Sequence, residues 1–395
     1  MKTAEKSVMS DRISYLLVAF VVSICLSIGM SQAMATDGHL ARATEYNWNL
    51  PEWTPKPIVP KNNPMTAEKV ELGRQLFYEP RLSITGEYSC ASCHKQSLAF
   101  TDGKPVALGS TNEQHSRNSM SLANVAYSPV LTWANPLITS LENQALIPIF
   151  GEHPLEMGMV GKEQQMIQWI KNDPEYRHMF SGAFTEEQPV NLSNLTKAIA
   201  SFQRSLVSFN SPYDRYRYQG ETNAISAAAK RGEKLFNSER LECFHCHGGI
   251  NFSDSVKHEN LAFTEIAFHN TGLYNIDGEG SYPPQNTGIK EFTQKAKDMG
   301  RFKAPSLRNI ALTAPYMHDG SVATLQNAIA HYQAGGRTIT AGEWTGVGSA
   351  NPYKSGFVKG FKITDTEIDD LIAFLQSLTD EEFITNPAYS DPNEF

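Results

Sequence analysis

The sequence predicts a mainly α-helical fold built from two related units in tandem. The first observation is a repeat, because GRQLFYEPRL (residues 73–82) and GEKLFNSERL (residues 232–241) share Gly, Leu-Phe and Arg-Leu in one register. The second is that apolar residues recur at helical spacing in several long segments. We therefore expect each unit to contain a helix of the same kind at an equivalent place.

The N-terminus has the pattern of an export signal. Lys2, Lys6 and Arg12 precede the apolar run ISYLLVAFVVSICLSIG, and the small residues of SQAMA follow. A retained membrane anchor is the alternative, but the short run and its A-x-A ending favour cleavage after Ala35. We expect residues 1–35, with Cys25, to be removed, and the mature chain to have no stable membrane insertion.

Composition identifies the mature chain as globular. The sequence has 395 residues, of which 41% are hydrophobic, enough for ordinary buried cores. The formal charge of -8 offers no basic stripe for phosphate contacts, so nucleic acid is not an expected partner.

The chain divides into three predicted parts after the export signal. Residues 36–64 contain the proline-rich LPEWTPKPIVPKNNP and are expected to form an extended arm. Residues 65–222 would form the first unit. Residues 223–395 would form the second, beginning near TNAISAAAK around residue 225.

Three segments carry the clearest helical patterns. They are LTKAIASFQRSLVSF (residues 195–209), ATLQNAIAHYQAGG (residues 323–336) and DTEIDDLIAFLQSL (residues 365–378). The second segment ends in Gly-Gly, which favours termination of a helix. Thr364 and Glu367 form a predicted capping box at the start of the third.

The four cysteines outside the export signal lie in two C-x-x-C-H motifs. These are Cys90, Cys93 and His94 in CASCH, and Cys243, Cys246 and His247 in CFHCH. Zinc binding by two C-x-x-C pairs and disulfide formation are alternatives. However, the pairs lie roughly 150 residues apart, whereas a zinc ribbon separates them by about 15–20, and neither alternative requires the histidines.

C-x-x-C-H is the attachment signature of c-type haem. The two thiols add to the porphyrin vinyl groups, and the adjoining histidine becomes the proximal iron ligand. The sequence therefore predicts two covalently attached haem c groups in two cytochrome c-like domains.

These motifs, together with RNSMSLANVAY, LENQALIPIFGEHPLEMG and APSLRNIALTAPYMHDGSVATL, resemble the bacterial di-haem cytochrome c peroxidase and MauG superfamily. YNWNLPEW and LTDEEFITNPAYSDP are most similar to its methanobactin-associated, MbnH-like branch. The resemblance covers most of the mature chain. It implies a periplasmic enzyme with a peroxidatic N-terminal haem, an electron-transfer haem in the C-terminal domain and a calcium ion between them.

Tyr332 stands where the resemblance places the second axial ligand of the C-terminal haem, sixteen residues after Tyr316. Ordinary peroxidases of the superfamily have methionine there, and MauG has tyrosine. A phenolate favours oxidised iron, while a thioether favours reduced iron. The alternative is a packed Tyr332, with Met317 or Met299 as the ligand. His331 is predicted to lie at the surface or behind the ligand.

The resemblance also points to a catalytic set at the N-terminal haem. Glu156 would move a proton between the two peroxide oxygens, with Glu152 as the competing carboxylate, and Gln144 would orient the peroxide or a water. Pro148 belongs to the same motif. His115 is either a displaceable ligand, as in reductively activated peroxidases, or a polar loop residue.

Two further sites are implied by the resemblance alone. Trp133 corresponds to the tryptophan between the haems and would relay electrons. The Asn118 side chain and the carbonyl groups of Thr313 and Pro315 would bind calcium, for which such oxygen ligands are suited.

Three functions follow from this reading. The first is a MauG-like oxidase that reduces hydrogen peroxide and oxidises a residue of a secreted protein by long-range electron transfer. The second is a cytochrome c peroxidase supplied by a small soluble cytochrome c or cupredoxin. The third is a non-catalytic di-haem electron carrier.

Overall fold

The computed structural model describes residues 46–393, and their secondary structure is almost entirely helical. The α-helices are α1 (Ala67–Tyr78), α2 (Leu141–Gln144), α3 (Leu146–Phe150), α4 (Glu163–Asn172), α5 (Pro174–Ala183), α6 (Leu192–Ser205), α7 (Pro212–Tyr218), α8 (Ala227–Phe236), α9 (Cys243–Cys246), α10 (Lys290–Thr293), α11 (Leu325–Gln333), α12 (Asp365–Gln376) and α13 (Glu381–Thr385). Within that range the strands are β1 (Thr338–Ile339) and β2 (Gly346–Val347), which pair antiparallel. The mainly α fold is confirmed. The predicted export signal lies outside the described residues.

Short 3₁₀ helices connect these elements. They are Pro80–Leu82, Cys90–Ser92, Gln96–Leu98, Val125–Tyr127, Pro284–Asn286, Ala296–Asp298, Ile310–Leu312, Gly348–Ala350 and Pro387–Tyr389. No helix between residues 46 and 393 is long and apolar enough to cross a membrane.

The repeated glycines explain the internal sequence match. Helix α1 packs against α6, and α8 packs against α12 in the other half. A Cβ atom on Gly73 would lie 1.9 Å from the carbonyl oxygen of Ala198, and one on Gly232 would lie 2.0 Å from that of Asp370. Each glycine therefore permits a helix crossing that any side chain would block.

The phenylalanines of the repeat also occupy equivalent places. The ring of Phe77 lies 5.2 Å from that of Phe202 on α6, and the ring of Phe236 lies 5.1 Å from that of Phe374 on α12. These aromatic pairs are buried at the two helix crossings. The two units thus share a helix pair as well as a sequence motif.

Gly73→Ala is expected to destabilise the protein by about 1–3 kcal/mol, because the added methyl group overlaps backbone atoms of α6. Urea unfolding of the haem-loaded protein would measure the loss. Gly182→Ala is the matched control, since this glycine is also helical and its Cβ would meet nothing within 4 Å. We expect the control to be neutral or slightly stabilised; equal stability of both variants would contradict the close crossing.

Helix ends agree with most of the sequence signals. Glu367 donates its backbone N–H to the Thr364 hydroxyl, and Thr364 donates its own to the Glu367 carboxylate at 3.0 Å, which confirms the capping box. Helix α11 ends just before Gly335, whose φ is +68°. Helix α6 differs from the prediction: it ends at Ser205, and beyond it Ser208 donates its backbone N–H to the Asn124 side chain instead.

The C-terminal tail packs back onto the N-terminal half. The Asp380 carboxylate accepts hydrogen bonds from the Ser208 hydroxyl and the Asn210 backbone N–H, both at 3.0 Å. The Phe383 ring lies 5.6 Å from that of Phe100, in the core beside the first C-x-x-C-H motif. The two halves therefore share an extensive contact, and the domain limits at 65–222 and 223–395 stay predictions.

The described part of the predicted arm, residues 46–64, contains neither helix nor strand. Trp53 attaches it to the body of the protein, because its ring stacks on Tyr218 with centroids 3.9 Å apart and meets Phe209 edge-on.

Candidate active site

The first C-x-x-C-H motif forms a 3₁₀ turn, Cys90–Ser92, followed by His94. Ring Nδ1 of His94 lies 2.8 Å from the carbonyl oxygen of Phe100, which the positive φ angles of Ala99 and Phe100 turn toward the ring. Burial lowers the pKa of His94, which favours the neutral ring. Because a carbonyl can only accept, Nδ1–H donates and the lone pair of Nε2 is left for a metal.

The second motif repeats this arrangement on helix α9. Ring Nδ1 of His247 lies 3.2 Å from the carbonyl oxygen of Phe252 and 3.1 Å from that of Pro305. Burial lowers the pKa of His247 as well. Both histidines are therefore oriented in the way that proteins orient metal-ligating imidazoles.

The arrangement of the described cysteines does not favour the two alternatives raised by the sequence. Cys90, Cys93, Cys243 and Cys246 are all free thiols, so no disulfide joins them. Between residues 46 and 393, no cluster of potential metal ligands contains both C-x-x-C pairs, as a shared zinc site would need. Thioether attachment to haem accounts for both motifs.

A cleft in the C-terminal half has the shape and polarity expected of a haem pocket. It contains about 1310 Å³ of empty space, open solvent at its mouth included. Helices α8, α11 and α12 contribute apolar walls, and Cys243, Cys246, His247 and Tyr332 all line it. The attachment thiols, the proximal histidine and a candidate second ligand thus share one pocket.

The hydroxyl group of Tyr332 lacks a hydrogen-bond partner within residues 46–393. Other tyrosines of the same half differ: Tyr274 donates to Asp319, Tyr282 to Asn270 and Tyr316 to the Ile310 carbonyl. Burial raises the pKa of Tyr332. The nearby thiols of Cys246 and Cys243 raise it further. A cation in the cleft would lower the pKa of Tyr332 again, because it favours the phenolate.

The other candidate ligands are placed differently. Met317 lines the cleft, so it stays an alternative to Tyr332. Met299 is buried in the neighbouring core and does not line the cleft. The surface position considered for His331 is wrong: it is buried, its Nε2 lies 3.0 Å from the Thr271 carbonyl oxygen, and burial lowers its pKa to about 4.

Glu156 lies in a tight loop contact near the first motif. Ser110 donates its backbone N–H to the Glu156 carbonyl at 2.7 Å, and Met157 donates its own to the Pro148 carbonyl at 2.9 Å. A Cβ on Gly109 would lie 1.8 Å from the carbonyl oxygen of Leu155, so glycine is needed at this contact. The loop of residues 107–115 therefore holds Glu156 in place.

The Glu156 carboxyl has a raised pKa of about 7, caused by burial. About 34% of its side chain reaches solvent, so the carboxyl lies in a recess that is desolvated but open. The Glu156 carboxylate is near enough to Cys90 and Cys93 for its negative charge to raise the pKa of both thiols. The competing Glu152 is exposed, and Gln144 is half-buried at the end of helix α2.

His115 neighbours Glu156, with 4.0 Å between His115 Nδ1 and Glu156 Oε1. Burial lowers the pKa of His115, which favours the neutral ring. The two side chains are thus neighbouring titratable groups that lie just beyond direct hydrogen-bonding distance. The sequence motifs did not indicate this contact, because it arises from the backbone pairing of residues 107–115.

Comparison with known proteins agrees with this geometry. Residues 67–223 match the family model "Di-haem cytochrome c peroxidase", and residues 229–379 match that of "Cytochrome c". The methylamine utilization protein MauG of Methylorubrum extorquens is 34% identical, over 92% of this chain and 92% of that protein. The chain belongs to the di-haem cytochrome c peroxidase/MauG family. It is a haem-dependent oxidoreductase with two haem c groups.

Two further relatives of this di-haem family are informative. Cytochrome-c peroxidase IdrP1 of a Pseudomonas species is 35% identical, over 85% of this chain and 87% of that protein. The structure also resembles the crystal structure of a MauG-like protein associated with microbial copper homeostasis, with a TM-score of 0.86. The two sequences are 47% identical, and the match covers 88% of this chain and 99% of that chain. Peroxidases and MauG-like proteins are both similar to this chain.

Trp133 bridges the two haem-binding halves of this family member. Its ring lines the cleft, and its Nε1–H donates to the Asn118 carbonyl at 2.8 Å. Asn118 in turn donates its backbone N–H to the His318 carbonyl and its side-chain amide to the Lys104 carbonyl, both at 2.8 Å. Trp133 is therefore hydrogen-bonded to a loop that contacts both halves of the chain.

The predicted calcium ligands lie on adjoining segments. The bond from Asn118 to His318 brings its loop against the segment that contains Thr313 and Pro315. Because the Asn118 amide nitrogen donates to main-chain carbonyls, its side-chain oxygen points away from them. The oxygen atoms suit a hard cation, and calcium binding here stays a prediction.

Sequence reasoning did not single out two polar residues that line the cleft, Lys303 and His318. Both are buried, and the His318 ring stacks on Phe302 with centroids 3.6 Å apart. A lysine in a loop is ordinarily exposed, and no spacing in the sequence signals otherwise.

The haem-loaded chain should retain two covalently bound haems after acid–acetone extraction. Replacing Cys243 and Cys246 by alanine should leave one, because each motif attaches its own haem. A pyridine haemochrome assay would count them. A wild-type count of zero or one would contradict the assignment.

Proposed function

We propose that this enzyme reduces hydrogen peroxide at the N-terminal haem and oxidises a residue of a secreted partner protein, with the C-terminal haem holding the second oxidising equivalent. The partner supplies both electrons, and two protons complete the conversion of peroxide to two waters. A non-catalytic di-haem electron carrier is not favoured, since the chain belongs to a family of haem-dependent oxidoreductases. The unpartnered Tyr332 hydroxyl in the C-terminal cleft carries the proposal.

Tyr332 supports a MauG-like function because its phenolic oxygen is a candidate ligand for the iron of a haem in the cleft. When bound, the haem at His247 supplies an iron whose preference for the oxidised state depends on its second ligand. A phenolate from Tyr332 would stabilise oxidised iron, as a partner-oxidising enzyme requires. Since the hydroxyl has no hydrogen-bond partner in the described part of the chain, no bond to residues 46–393 needs to break first.

The residues around His94 support the peroxide step. Glu156, with its pKa of about 7, is able both to accept and to return a proton near neutral pH. Peroxide needs such a group, because one proton must move from the inner to the outer oxygen. His115 lies 4.0 Å away, and burial lowers its pKa, which favours the neutral ring that is able to accept a proton. We assign these roles to Glu156 and His115, with Gln144 orienting the peroxide.

The surroundings of Trp133 support electron transfer between the halves. Its ring lines the C-terminal cleft, while its Nε1–H is bound to the loop that continues toward the N-terminal site. We propose that Trp133 relays electrons and that calcium, bound by Asn118, Thr313 and Pro315, holds the two loops together. We also propose that the predicted export signal directs the chain to the periplasm.

The runner-up function is a cytochrome c peroxidase supplied by a small cytochrome c or cupredoxin, and the similarity to IdrP1 favours it. The two functions differ in the source of electrons. Secreted proteins that co-purify with the enzyme would be treated with peroxide and analysed by mass spectrometry. We expect a new oxidative mass change at one residue of one partner. An unmodified partner, together with rapid peroxide-dependent oxidation of reduced cytochrome c, would establish the runner-up.

A further inference from the structure

Lys303 is a buried cation in the wall of the C-terminal cleft. Only 6% of its surface is exposed, and its ammonium group donates to the Val130 carbonyl at 2.7 Å. An ammonium group carries three N–H donors, so this single acceptor leaves it under-satisfied. Buried lysines are rare unless they are paired.

The described residues provide no opposite charge for Lys303. Within residues 46–393, no carboxylate forms an ion pair with it, and its one charged neighbour is another cation, Lys257. Burial, with a smaller contribution from Lys257, lowers the pKa of Lys303 to about 8. An unpaired buried charge costs several kcal/mol, on the order of the whole stability of many domains.

Lys303 lies in a segment whose backbone contacts two residues of the haem pocket, Trp133 and His247. Its backbone N–H donates to the Trp133 carbonyl at 2.9 Å. Two residues later, the Pro305 carbonyl faces Nδ1 of the proximal His247. The segment that orients the iron ligand therefore also places Lys303.

Lys303 is also the one lysine or arginine that lines the cleft in the described part of the chain. The other charged groups of the cleft wall have partners of their own. His269 lies 2.5 Å from the Asp254 carboxylate, and Glu242 lies 2.9 Å from the Lys359 ammonium group. Lys303 therefore lies in the wall of the cleft without a carboxylate partner among residues 46–393, and its one hydrogen bond is to the Val130 carbonyl.

We infer that Lys303 pairs with a propionate carboxylate of the C-terminal haem. The porphyrin carries two such carboxylates, and it is attached at Cys243 and Cys246 in this cleft. The ion pair completes the hydrogen bonding of a buried ammonium group and neutralises a propionate in an apolar pocket. The inference depends on the haem alone and holds for either proposed substrate.

The test is the reduction potential of the C-terminal haem in the haem-loaded protein. In Lys303→Met, the propionate loses its counter-charge, so the potential should fall, because uncompensated negative charge favours oxidised iron. The propionate bending mode in the resonance Raman spectrum should shift as well. Lys303→Arg keeps the charge and should stay near wild type in both measurements.

Lys354→Met is the matched control. Its ammonium group also donates to a carbonyl, that of Gly335 at 2.6 Å, but it does not line the cleft. It should leave both measurements near wild type. Lys303→Gln replaces the methionine variant if that one does not fold. Wild-type values in Lys303→Met or Lys303→Gln, or a Lys303→Arg variant shifted as far as either, would overturn the inference.

Discussion

Tyr332→Phe should change the ligation of the C-terminal haem and abolish peroxide-dependent oxidation of the partner, while both haems stay attached. The phenyl ring keeps the packing of Tyr332 on helix α11 but removes its oxygen. Electronic and magnetic spectra of the oxidised protein would detect the lost ligand, and haemochrome analysis would show two haems.

A comparison of folding stability sharpens this prediction. Because the Tyr332 hydroxyl makes no hydrogen bond to any residue between 46 and 393, its removal should change the free energy of unfolding of the protein chain little. Tyr282→Phe is the matched control: its hydroxyl donates to Asn270 at 2.8 Å and accepts from the Leu273 N–H at 3.1 Å. That variant should lose about 1 kcal/mol of stability yet keep wild-type spectra.

Tyr332→Met tests the chemistry of the ligand from the other direction. A thioether in place of the phenolate should raise the reduction potential of this haem and make it accept electrons from a small carrier more readily. If Tyr332→Phe instead retains wild-type spectra, Tyr332 is a packed core residue. Met317, which lines the same cleft, would then be the candidate ligand.

Glu156→Gln should slow peroxide reduction about a hundredfold or more, because the amide keeps the shape of the side chain but cannot shuttle a proton. Stopped-flow mixing with peroxide would measure the rate, and haem content should be unchanged. Glu152→Gln is the control, since Glu152 is exposed and belongs to the same loop. The opposite ranking of the two variants would show that Glu152 is the catalytic carboxylate.

The pH dependence should also report on Glu156. Burial raises its pKa to about 7, so the carboxyl is mainly protonated at pH 5 and mainly ionised at pH 8. A base is needed to accept the first proton, so the wild-type rate should rise with pH through about 7 and then level off. This step in the profile should be absent from Glu156→Gln.

Local patterns in the sequence were sufficient for several features. The C-x-x-C-H motifs identify the haem sites because thioether attachment and proximal ligation involve neighbouring residues. The capping box at Thr364 was predictable for the same reason, since it satisfies donors within one helical turn. The self-match at Gly73 and Gly232 indicated two related units, although only the helix crossings explain why glycine is required.

Other features depend on contacts between distant segments. His115 meets Glu156 through the pairing of residues 107–115 with the loop that contains Glu156. Tyr332 reaches the cleft of Cys243 because helix α11, which packs against α12, forms part of the same cleft wall. Burial of His331 and the unpaired charge of Lys303 also follow from tertiary packing.

The sequence by itself determined the helical class, the two haem attachment sites and the kinship with di-haem peroxidases, because each is encoded in residues close along the chain. The tertiary structure decided which side chains are desolvated and which remain without a partner. Both properties depend on every segment packed around a group, and no spacing in a linear sequence records them. The raised pKa of Glu156 and the uncommitted hydroxyl of Tyr332 are of this second kind.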